Sequence, residues 1–161
     1  MFTKRELRDC IKSPKVISDL EFKPVTKSRH IPKFIKFRSK NRVRCTDLLD
    51  AGDGYRAFFV WRDGPLRVKR AFNAWLFRAA GDDLVPLVRL DYHPSHRDLH
   101  IHVNCEDDRN LTNRMMPGCK LLNMKPHGKL DPGNEIDRQN LVGIAMDCFN
   151  IDFWSEDQGL F

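Results

Sequence analysis

Over residues 88–93 and 99–104 apolar and polar positions alternate with a period of two. Val88-Arg89-Leu90-Asp91-Tyr92-His93 puts Val, Leu and Tyr on one face of a strand and Arg, Asp and His on the other. Leu99-His100-Ile101-His102-Val103-Asn104 does the same, with Leu, Ile and Val opposite His, His and Asn. Pro94-Ser95-His96-Arg97-Asp98 separates the two runs. Paired as a hairpin, they bring Arg89, Asp91, His93, His100, His102 and Asn104 to one polar face. A slip of one residue in either strand would send its histidines to the other side.

Other segments extend the pattern. Asp53-Gly54 is a turn signal, and Tyr55 to Arg62 after it is an aromatic-rich strand. Ala71 to Arg78 and Leu84 to His93 are further strands, joined by the short turns Asp63-Gly64-Pro65 and Gly81-Asp82-Asp83. Ile31 to Phe37 also alternates and predicts a strand. The ends read differently. Thr3 to Glu6 is a capping box ahead of Leu7, Cys10 and Ile11. Ser13-Pro14 predicts a second short helix, with Ile17 and Leu20 on its apolar side. Asp131-Pro132-Gly133-Asn134 introduces a C-terminal helix over 134–150, with Ile136, Leu141, Ile144, Ala145 and Cys148 as its buried stripe. Pro117-Gly118 and Lys125 to Gly128 mark loops between. The fold class expected is α+β: a curved antiparallel meander of four to five strands over 53–106, with helices from both termini packed on one face.

Composition allows one domain, residues 1–161, with a real core: 41% of the residues are hydrophobic. No stretch approaches the roughly 18 apolar residues of a membrane span, and the N-terminus does not read as a secretory signal. Five cysteines (10, 45, 105, 119, 148) stand far apart, which points to reduced thiols and a cytoplasmic setting.

Charge changes the picture more. Residues 1–44 carry 14 Lys and Arg against 4 Asp and Glu, whereas the other 117 carry 14 against 18. Lys23 to Arg44 holds nine basic residues and no acidic one, interleaved with Phe34 and Phe37. Such a block suits a polyanion, and Lys33, Lys36, Arg38, Lys40, Arg42 and Arg44 are the expected nucleic-acid contacts, with Arg97 and Asn104 beside the histidines. An acidic protein partner or a solvated edge protected by lysines is the alternative.

Three chemistries fit the histidine face. The first is metal-independent RNA cleavage. It needs a base for the 2′-hydroxyl proton, an acid for the leaving oxygen and a cation for the charge growing on phosphorus. His100 and His102 fit the first two roles, with His93 as a rival; Arg89 or Arg97 fits the third, and Asp91 orients a histidine. The second is a metal site, with Zn²⁺ or Mn²⁺ held by His100, His102 and His93 or Asp91, which permits hydrolysis through an activated water. The third is nucleic-acid binding without chemistry, as in a subunit of a defence or counter-defence complex. A merely solvated histidine face is the bland alternative.

Arg89-Leu90-Asp91-Tyr92-His93 followed by His100-Ile101-His102 resembles small bacterial toxins of toxin–antitoxin modules, some of which carry an Arg-X-Asp strand and a histidine-rich hairpin. The resemblance covers residues 84–104. It implies a growth-inhibiting hydrolase acting on RNA and checked by an antitoxin. Arg89, Asp91, His93, His100 and His102 are the positions that carry over. The basic N-terminal segment is not part of that pattern.

Overall fold

The computed structural model describes residues 2–95, 99–104 and 128–154, and the backbone of 114–115. The chain begins with helix α1 (Lys4–Lys12). Its capping box forms as the sequence predicts: Glu6 N–H donates to Thr3 Oγ1 at 3.1 Å and Thr3 N–H to Glu6 Oε2 at 2.9 Å. Leu7, Cys10 and Ile11 are its buried face.

No second helix follows. Ser13 is extended ahead of Pro14, and strand β1 (Lys15–Ile17) pairs in parallel with β10 (Ile151–Phe153) at the other end of the chain. Long-range pairing overrides the local helix-start signal here, aided by the β-branched pair Val16-Ile17. Lys15 is 1% exposed. Its ammonium donates to the carbonyls of Ile11 (3.0 Å), Ser13 (2.6 Å) and Phe149 (2.9 Å), so one cation ties the C-terminal ends of both helices together.

A larger antiparallel sheet carries the rest. Its members are β2 (Lys23–Pro24), β3 (Val43–Cys45), β4 (Leu49–Asp50), β5 (Tyr55–Arg62), β6 (Ala71–Ala80), β7 (Asp83–Tyr92), β8 (His100–Val103) and β9 (Arg114–Met115). The order is β2-β3-β5-β6-β7-β8-β9, with β4 also on β5. The expected meander is β5 to β8. Asp53 and Gly54 both have positive φ, 51° and 79°, as a tight turn into β5 requires. Helix α2 (Glu135–Phe149) is capped by the Asn134 side chain and ends at left-handed Asn150.

Both faces of the sheet are covered. On one face α1 and α2 pack Leu7, Ile11, Leu141, Ala145 and Phe149 against Phe59, Phe72, Leu90 and Ile101. The expected helix stripe is partly corrected: Ile136 is 69% exposed, and Phe149 takes a core place instead. On the other face Phe58, Val60 and Phe77 meet Val25, Val43 and Cys45, with Ile31, Ile35 and Phe37 partly buried against them. The expected strand over Ile31 to Phe37 is not formed. This segment is irregular and lies over the sheet as a flap, its alternating apolar side chains packing downward without a ladder partner. No helix among the described residues is long and apolar enough to cross a membrane.

Candidate functional site

The hairpin register is the one the alternation predicts. Arg89 stands opposite His102 and Asp91 opposite His100, while Leu90 and Ile101 pair on the helix-covered face. The neighbouring strands extend two cross-strand rows on the polar side: Phe58-Trp75-Arg89-His102 and Val60-Asn73-Asp91-His100. One end of this face is therefore apolar and lies under the N-terminal flap. The other is polar.

That polar end is not solvated. Asp91 and His100 are each 4% exposed and His102 is 6% exposed. A buried carboxylate requires compensation, and Asp91 has it on both oxygens. Oδ1 accepts from the Asn73 side-chain amide. Oδ2 accepts from Arg89 Nε and Nη2, both at 2.9 Å, and from His102 Nε2 at 3.2 Å, with His100 Nε2 at 3.8 Å. Burial alone would raise the Asp91 carboxyl. The His102 hydrogen bond, the Arg89 charge and the Asn73 amide outweigh it and hold the group below its ordinary value. The His100 and His102 rings meet edge to face at 5.5 Å, and His93 stacks on His100 at 5.8 Å.

The sequence candidates around the histidines fall into four sets. Arg89, Asp91, His100 and His102 come together as one group. His93 lies just beyond the end of β7, half-buried, and stacks on His100. Asn104 is bound at the end of the hairpin. Its backbone N–H bonds Leu87 O at 3.0 Å and its amide bonds Pro86 O at 2.8 Å, closing a bulge in β7. Arg97 lies outside the described residues, as does His96.

The basic segment is likewise divided. Lys36 lines a cleft of about 350 Å³ with Phe34, Phe37, Arg62, Trp75 and Arg89, and Asn73 is at its floor. Arg38, Lys40, Arg42 and Arg44 line two adjoining clefts. Lys33 borders a separate hollow with Asp82 and Asp83. Sequence reading missed Asn73, Arg62 and Lys69. Asn73 was legible in principle, as the lone amide in the apolar run Ala71-Phe72-Asn73-Ala74-Trp75; Arg62 and Lys69 carry no such signal.

One donor atom each from Asp91, His100 and His102 lies within 4.8 Å of the others, so these three also form a possible metal-ligand set. His93 is not part of it. Against that use, the Arg89 fork already covers Oδ2 and would put a fixed positive charge beside a dication. No protein-family model, no curated protein and no solved structure matches this chain.

Proposed function

We propose that this protein binds RNA and cleaves it by histidine acid–base chemistry. The observation that carries this reading is the Asp91 carboxylate, which orients His100, His102 and Arg89 as one group beside a cleft lined by Lys36, Arg62 and Trp75. The carboxylate gathers two imidazoles and a guanidinium, the complement that phosphodiester transfer requires, with His102 and Arg89 bonded to it and His100 Nε2 at 3.8 Å.

In the proposed reaction one imidazole takes the proton of a 2′-hydroxyl, and the O2′–phosphorus bond forms. The phosphorus–O5′ bond breaks as the second imidazole gives its proton to the leaving oxygen. The products are a 2′,3′-cyclic phosphate and a 5′-hydroxyl. Arg89, with its side chain 30% exposed at the rim of the cleft, stabilises the charge on the phosphoryl oxygens. Asp91 is a positioning residue. The toxin resemblance at residues 84–104 fits this activity, with an acidic antitoxin as the partner.

A second reading rests on the compact donor set of Asp91, His100 and His102: a metal-dependent nuclease using Zn²⁺ or Mn²⁺ to activate water. One experiment separates the two. Labelled RNA is incubated with the protein in EDTA, in Zn²⁺ and in Mn²⁺, beside the His100→Asn and His102→Asn variants checked for folding by circular dichroism. Cleavage in EDTA that falls about 10²- to 10⁴-fold in a folded variant is the expected result. Cleavage only with added metal makes the three residues ligands. RNA bound but left whole under all conditions overturns both readings and leaves a binding module.

A further inference from the structure

We propose that the nucleic acid is single-stranded and lies in a basic furrow leading to the histidine group; this rests on the reading above for where the strand is cut, but not for its binding. Three clefts make the furrow. The first, about 580 Å³, is lined by Lys40, Arg42 and Arg44. The second, about 560 Å³, shares Arg42 with the first and adds Arg38, Arg62, Lys69 and His93. The third shares Arg62 and Val43 with the second and ends at Asn73 and Arg89, which both bond Asp91. The path thus reaches the histidine group from two sides, through His93 and through Arg89.

Its cations are available. Lys36, Arg38, Lys40, Arg42, Arg62 and Lys69 form no ion pair among the described residues, whereas Lys23, Arg56 and Arg70 are each matched to an aspartate. Six exposed cations along one furrow, with Asp63 as the one acidic residue lining it, repel each other and are relieved by a polyanion between them. Their spread over consecutive clefts fits a chain of phosphates better than one small anion.

Shape and aromatic content select the strand type. A duplex is a wide convex rod whose stacked bases are turned inward, and its phosphates cannot follow a path recessed between the flap and the sheet. The third cleft is walled by Phe34, Phe37 and Trp75. Phe34 is 47% exposed and lies tilted against Trp75, with ring centroids 5.8 Å apart. Such a wall offers a stacking surface to an unpaired base and nothing to a paired one.

The test uses the full chain and fluorescence anisotropy with three labelled probes: a 12-nucleotide RNA, single-stranded DNA of the same sequence, and the corresponding DNA duplex. Single-stranded DNA lacks the 2′-hydroxyl that the proposed reaction needs, so it reads binding without turnover. Both single strands are expected to bind at least tenfold more tightly than the duplex. Arg42→Ala/Arg62→Ala, at exposed positions, is expected to weaken binding at least tenfold and to reduce the salt slope by about 1.4 for two lost phosphate contacts. Phe34→Ala is expected to weaken it about tenfold with little change in salt slope. Equal or tighter duplex binding, or single-strand binding indifferent to the arginine pair, overturns the proposal. Tight single-strand binding with the RNA left uncut in every metal condition upholds it and overturns only the cleavage reading.

Discussion

Asp91 shows how much one residue can organise. Its carboxylate is the shared acceptor of Arg89, His102 and Asn73, with almost no solvent to replace it. Removing one partner from a buried charged network leaves the others uncompensated. Asp91→Ala is therefore expected to destabilise the fold by about 3–5 kcal/mol, read from the urea midpoint, and Asp91→Asn by less, because the amide keeps an acceptor oxygen. Asp131 acts in a more exposed place, at the start of α2. Burial would raise its carboxyl, but Arg70 Nη1 at 2.6 Å and the Gly133 N–H hold it below the ordinary 3.8. A depressed carboxyl adds stability that is fully present above the unfolded-state pKa and disappears as pH falls through the folded one. Urea midpoints between pH 5 and pH 2 are thus expected to fall less steeply in Asp131→Asn than in the parent protein.

At the scale of elements, local signals and long-range pairing compete. Where a helix cap met an apolar stripe, as at Thr3 and Asn134, the helix formed as the sequence predicts. Asn134→Ala is expected to cost about 1 kcal/mol by urea denaturation, through loss of the bond to the Asp137 N–H at 3.1 Å. The signals at Ser13-Pro14 and Ile31 to Phe37 did not decide the outcome. Val16 and Ile17 found Asp152 and Phe153 as strand partners, and no window of sequence near residue 15 can reveal a partner near residue 152. Lys15 seals that pairing. Lys15→Met would leave three carbonyls at the helix ends without their donor. It is expected to speed hydrogen exchange at Ile151 and Phe153 more than at the β5–β6 ladder.

At the scale of the molecule, one sheet serves two cores. Phe59 and Phe58 are neighbours on β5, yet the first packs under the helices and the second under the basic flap. Neither layer can be lost without exposing the shared sheet. Unfolding in urea is expected to be a single transition, with tryptophan fluorescence and far-UV circular dichroism giving the same midpoint. The flap links the two themes of the sequence: Ile31, Ile35 and Phe37 anchor it on the sheet, and Lys36, Arg38, Lys40 and Arg42 are thereby placed along the furrow.

Sequence alone determined the meander, the two α-helices among the described residues, and the polar face of the hairpin. These follow from periodicity and caps, which act over a few residues. The grouping of Arg89, Asp91, His100 and His102 was legible for the same reason, since a hairpin register is set by its own two strands. Only tertiary structure decided that this face is buried, that Asn73 joins it from β6, that Asn104 is bound at a bulge in β7, and that the flap covers the other side of the sheet. Those outcomes depend on which distant segments cover or adjoin each strand, and burial is a property of the packed whole.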